Sequence, residues 1–216
     1  MTTNALILAT DIIEQAQHSG RRAGTSLEAI ASEQGDETML AVLTEMDILT
    51  VAKIVREHDA TIPSIATWLM DAESIKQLLN VEPSYWQNMD EDSVFCAQTE
   101  AHSLLTQIFL SSDQDEEKQL EILTAIVEDD FGLLYLSLPF VGHDFAELEE
   151  DEEQTSGSVE ELLMKIKTLS EEAYREVMTV SSNGTLANIE NSLKQNANKQ
   201  RVTAVEMDTD DMFAPL

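Results

Sequence analysis

The side chains of this chain that could do chemistry are 42 acidic residues, four histidines and one cysteine. General acid–base work needs two carboxylates whose surroundings push their pKa values apart, through burial or a distinctive neighbour. Acids this numerous bring carboxylates together by abundance alone, and no pair is set among the aromatic or polar residues that would wall a pocket. Asp113-Gln114-Asp115-Glu116-Glu117 opens like a calcium loop, with oxygens at alternate positions. The EF-hand pattern then requires Gly at its sixth position and Glu at its twelfth, where this chain has Lys118 and Thr124. The run reads better as the acidic first turn of a helix, where negative charge meets the positive end of the helix dipole.

His18, His58, His102 and His143 lie far apart, and none belongs to a His-Glu-x-x-His unit. Cys96 and His102 share a predicted helix, but six residues put them on different faces, so the helix does not make a thiol–imidazole dyad. Next to Phe95, Cys96 reads as a small core residue. No phosphate-binding Gly-x-x-x-x-Gly-Lys-Ser/Thr loop, Gly-x-Gly-x-x-Gly turn or Gly-x-Ser-x-Gly elbow occurs. No catalytic residue, cofactor or metal ligand is therefore assigned, and the expectation is a protein that is not an enzyme. Asn183-Gly184-Thr185 reads as a turn and helix cap rather than a glycosylation site, and Tyr85-Trp86 as packing rather than an aromatic contact patch.

Charge says more than any motif. The chain of 216 residues has a formal charge of −30, and residues 57–164 hold 26 acids against 2 basic residues. A field of that sign repels nucleic acid and anionic lipid and draws in basic protein surfaces. The expected partner is a basic protein or larger assembly, with no direct nucleic-acid contact. A single cysteine makes no internal disulfide, which suits a reducing cytoplasm, the expected location. The start, Met1-Thr2-Thr3-Asn4, lacks the positive charge of a secretory leader, and no apolar stretch reaches the ~18 residues of a membrane span. No membrane association is expected.

The elements that carry these residues should be helices. With 43% hydrophobic but only 5% aromatic residues, 7 Gly and 4 Pro, the core must be aliphatic and the connections short. The fold class is mainly α, a compact multi-helix acidic body followed by a C-terminal helical hairpin arm and a flexible tail. The first helix runs from Thr3-Asn4 to Gly20 with Leu6, Ile12, Ile13 and Ala16 facing inward, and Thr25 with Glu28 forms a capping box for a short second helix ending by Gly35. Two central helices meet at Met46-Asp47, and Asp71 caps another. A helix from Asp90 to Leu110 follows, then one carrying Leu120, Leu123, Ile126 and Val127; residues 131–141 are compatible with strand or buried helix.

Residues 144–158, with seven acids, read as a flexible linker that bounds a body over 1–143. Beyond it lies the arm, 159–196: one amphipathic helix over 159–180 with a narrow apolar stripe, then a second helix from Thr185. Residues 197–216 are expected to be disordered, ending in Asp208, Asp210 and Asp211, then Met212, Phe213, Ala214, Pro215 and Leu216. This acidic stretch with an apolar tip resembles the tail of bacterial single-stranded-DNA-binding proteins, departing from it at Pro215-Leu216. The resemblance covers residues 208–216 only, since the basic aromatic barrel of that family is absent, and it implies a docking tail whose acids meet basic residues and whose apolar tip enters a pocket.

Candidate partner-binding residues are Leu162, Ile166 and Leu169 on the arm and Asp210, Asp211, Met212 and Phe213 on the tail. The predicted function is a non-catalytic interaction factor of the assembly-factor, scaffold or chaperone type, as in bacteriophage or bacterial assemblies, with self-association through the arm a further option. The alternative is a DNA mimic, with carboxylates of Asp90 to Asp92, Asp113 to Glu117 and Glu128 to Asp130 standing in for phosphates that recur about every 1.7 Å along the duplex. An enzyme of unrecognised class is the third reading.

Overall fold

A computed structural model of the chain describes residues 2–57, 64–88, 97–110, 115–145 and 157–211. Its order is α1 (Thr2–His18), α2 (Gly20–Gln34), α3 (Asp36–Thr44), α4 (Ile48–Glu57), α5 (Ile65–Leu69), α6 (Ala72–Val81), a 3-10 segment (Glu82–Asn88), α7 (Ala97–Phe109), α8 (Glu116–Val127), α9 (Asp130–Ser137), a 3-10 turn (Leu138–Phe140), α10 (Val159–Leu169), α11 (Glu171–Asn183) and α12 (Leu186–Asp211). Among the described residues there is no strand, and no helix is long and apolar enough to cross a membrane.

Local caps set most helix starts. Asp47 accepts from the Thr50 amide at 2.9 Å and Asp71 from the Ser74 amide at 2.7 Å, as the sequence predicts. Asp115 and Asp129 do the same for α8 and α9. The expected capping box at Thr25 does not form. Helix α2 begins earlier, capped by Ser19, and the Thr25 hydroxyl donates to the Arg21 carbonyl inside it. The stretch 131–141 resolves as α9 and a 3-10 turn, with Tyr135 and Phe140 inside.

Which face of a helix goes inward is set by its neighbours. Helix α1 buries Ala5, Ala9, Ile12 and Ala16, whereas Leu6, expected inside, is 53% exposed. The small alanines let α2 and α3 approach closely, and α2 also meets α4, where a β-carbon on Gly20 would lie 2.6 Å from the Lys53 carbonyl oxygen.

The C-terminal part departs most from expectation. The single helix predicted over 159–180 is two helices, broken where the Ser170 hydroxyl accepts from the Ala173 amide and starts α11. Helices α10, α11 and α12 pack on α7, α8, α9 and α6, and one hydrophobic cluster runs from Ala5 to Leu193. The predicted arm is thus built into the body. Residues 197–211, expected to be disordered, continue α12, with Ala197 fully buried. Most of the predicted linker, 146–156, lies outside the described residues.

Candidate functional site

Helix α8 is an amphipathic element whose inner residues Ile122, Leu123 and Ile126 are fully buried. Its outer ridge carries Glu117, Leu120, Glu121, Thr124 and Glu128, all exposed, with Leu120 at 41%. On one side, between this ridge and the first turn of α6, lies an open groove of about 500 Å³ lined by Ala72, Leu120, Thr124 and Ala125 and by the acids Glu73, Glu117, Glu121 and Glu128. On the other side, against α11, a second concavity of about 250 Å³ is lined by Leu123, Val127 and Ala173 together with Glu128, Glu172 and Glu176. Thr124 and Glu128 belong to both.

Acid outnumbers base around the ridge. Lys76 is held by Glu73 at 2.5 Å, an exposed pair in which the hydrogen bond raises the lysine pKa and lowers that of the glutamate. Partial burial lowers the pKa of Lys118 against the opposing pull of Asp71 and Glu121. Asp71 caps α6 and Asp129 caps α9, so these two carboxylates serve the backbone while adding to the field. Of the acids lining the groove, Glu73 and Glu117 lie in the first turns of α6 and α8, while Glu121 and Glu128 stand exposed farther along α8.

A second charged cluster is buried. Glu82, 4% exposed, pairs with Arg56 at 2.5 Å and accepts from the Tyr135 hydroxyl at 3.1 Å, with Glu100 at 3.6 Å from the same guanidinium. Burial pushes the Glu82 carboxyl up to about 7 despite the neighbouring Arg56. Tyr135 is pushed well above the ordinary tyrosine range by the same burial and by the acid it bonds. A perturbed carboxylate beside a tyrosine and an arginine has the residue types of an acid–base site. None of the described grooves reaches it, however, and its side chains bond to one another. Its place in the fold is structural: it joins α4 to the 3-10 segment, α7 and α9, reinforced by the Tyr85 hydroxyl donating to the Leu49 carbonyl at 3.0 Å.

The residues predicted as contact sites fare unevenly. Leu162 and Ile166 are fully buried in the common core, because the apolar stripe of α10 packs on α7 and α8, and Leu169 is half-buried against the same cluster. They present no free stripe to a partner or a second copy. Asp210 and Asp211 form the last turn of α12, while Met212 and Phe213 lie outside the described residues. Trp86 is buried with its ring 5.9 Å from that of Tyr135, and Arg201 lies 5.1 Å over the Tyr85 ring, in keeping with packing at that dipeptide. Cys96, His58, Asp90 to Asp92 and Asp113 also lie outside the described residues. Among the described residues no group of three histidine, cysteine or acidic side chains is placed to hold a metal ion. The exposed ridge of α8 escaped sequence reasoning, because Leu120 reads as one more core leucine; the signal was its position beside Glu117 and Glu121.

Residues 1–69 match the AtcB N-terminal domain and residues 72–208 the AtcB C-terminal domain. Over 147 residues the chain is 34% identical to adaptation to cold protein B of Shewanella oneidensis, an alignment covering 68% of this chain and 58% of that protein. No solved structure matches the chain. The boundary between the two matched regions falls just before α6, so the Arg56–Glu82 pair and the Tyr85–Leu49 hydrogen bond tie one region to the other.

Proposed function

This chain belongs to the AtcB family, and from that premise we propose that it is a non-catalytic interaction factor that holds a basic protein surface against its acidic α8 face. The observation that carries the reading is the outer ridge of α8, where Glu117, Glu121 and Glu128 stand exposed beside an exposed Leu120, with Glu73 and Glu172 alongside. Charge arranged this way accelerates encounter and selects a partner of opposite sign. The relative's name refers to adaptation to cold, and the proposal places this chain's interaction in the same response. At low temperature apolar association weakens, since burying apolar surface is driven largely by entropy near 25 °C, so a contact led by charge keeps more of its strength.

The DNA-mimic alternative finds less support in the geometry. A phosphate mimic needs its carboxylates turned outward at regular spacing, but Asp129 turns its carboxylate to the Gly132 amide at 2.7 Å and to Asn80 at 3.3 Å. An exposed leucine at the centre of the acids has no counterpart on a phosphate backbone.

The test compares two multiple variants as bait in extract of the source organism, at low and high salt. Glu73, Glu117, Glu121 and Glu172 are changed to Gln in one; in the other Glu14, Glu33, Glu37 and Glu45 are changed, an equal number of exposed acids on α1, α2 and the two ends of α3. Basic proteins retained by the unaltered chain and by the second variant, but lost from the first and released by salt, support the reading. Retention unchanged in the first variant overturns it, and release of the retained proteins by added duplex DNA would move the reading to mimicry.

A further inference from the structure

We propose that the groove between α6 and α8 seats an amphipathic basic helix, with its apolar stripe on Leu120, Ala72 and Ala125 and its lysines or arginines against Glu73, Glu117 and Glu121. The inference rests on the basic-partner reading above and adds the form of the partner element. Three observations lead to it. The groove is lined by apolar Leu120, Ala72 and Ala125 together with Glu73, Glu117, Glu121 and Glu128, a composition complementary to a helix with one apolar stripe flanked by cations. Its length suits a helix: α8 has 12 residues, so its ridge runs roughly 18 Å, about three turns of a partner lying alongside. Finally, the described residues contain no strand and so offer no sheet edge to which an extended peptide could add, whereas helix ridges accept another helix as they accept one another.

Leu120 is the discriminating residue. Three of its four neighbours along the ridge are acids, so a partner held by charge alone would be indifferent to the leucine or would prefer a further carboxylate in its place. A partner with an apolar stripe buries Leu120 and loses affinity when it becomes charged.

The experiment uses the full chain and two fluorescent peptides of about 18 residues, identical in leucine and lysine content. One has its leucines at helical spacing, and the other is scrambled. The expected result is binding of the patterned peptide about tenfold tighter than the scrambled one, and a loss of about tenfold or more on Leu120→Glu. Leu120→Ala should lose less, and Glu33→Gln with Glu37→Gln should lose nothing. Because Leu120 is exposed, unfolding curves of the variants should superimpose on that of the unaltered chain, which separates a lost seat from a lost fold. Equal binding of the two peptides, or binding unchanged or tightened by Leu120→Glu, overturns the helix seat while leaving the basic-partner reading standing. If neither peptide binds at low salt, the basic-partner reading falls with it.

Discussion

Replacing Glu82 by Gln makes the buried charge cluster measurable. The glutamine keeps the shape of the side chain and an oxygen for the Tyr135 hydroxyl, and it removes one titration from the protein. The Glu82 carboxyl titrates at about 7 in the folded state against an ordinary value of 4.5, because burial outweighs the attraction of Arg56. A folded pKa above the unfolded one means that the folded state holds the proton more tightly. The stability contributed by this proton is complete below about pH 4.5 and is lost as the pH rises through about 7. Between about pH 5 and pH 8 the difference in proton binding changes the folding constant by nearly two decades, or roughly 2–3 kcal/mol. The other acids titrate in both proteins and largely cancel in the difference. Urea unfolding of the unaltered chain and Glu82→Gln at the two pH values should therefore show the variant gaining by roughly 2–3 kcal/mol relative to the unaltered chain as the pH is raised. A flat difference would refute the burial argument. A change of opposite sign would show that Arg56 holds the carboxylate ionised, and that the pair rather than desolvation governs the site.

Further substitutions probe the packing. Leu162→Ala, in a side chain with no exposure, should cost about 2–5 kcal/mol in chemical unfolding; a loss within a few tenths would return Leu162 to the surface role expected from its stripe. Ser170→Ala removes the cap that starts α11 and should cost about 1 kcal/mol, seen as a lowered melting temperature, whereas Ser170→Asp should retain most of the stability. Gly20→Ala drives a β-carbon to 2.6 Å from the Lys53 carbonyl oxygen and should destabilise by about 1–3 kcal/mol, although alanine is the better helix former. Calorimetry that found Gly20→Ala more stable would refute the close approach of α2 and α4.

The exposed groove and the buried cluster pull on carboxylates in opposite ways. At the groove, glutamates face water and contribute a field without the cost of desolvation, against which stands only their screened mutual repulsion. At Glu82 a single carboxylate is held away from water, and it takes an arginine and a tyrosine hydroxyl to keep it there. The same residue type stands exposed beside a groove at one place and joins two family regions at the other.

What the sequence alone determined is what depends on near neighbours along the chain. Asp47 and Asp71 announce helix starts because a cap bonds an amide three residues on, and an aliphatic composition with few glycines and prolines leaves helices as the means of burying it. The concentration of acid in residues 57–164 is likewise legible in the sequence. Ser170 followed by Glu171 and Glu172 carried the same kind of signal, overridden by the continuous apolar stripe on either side of it. Only the tertiary structure decided which apolar residues are interior. Leu162 and Leu120 both sit on amphipathic helices, yet one is enclosed by α7 and α8 and the other is left at the edge of a groove, because burial is set by which distant helix arrives on a given face. Arg56, Glu82 and Tyr135 could not be joined by any local rule: three separate elements must pack before a carboxylate, a guanidinium and a phenol come within bonding distance and lose their water together.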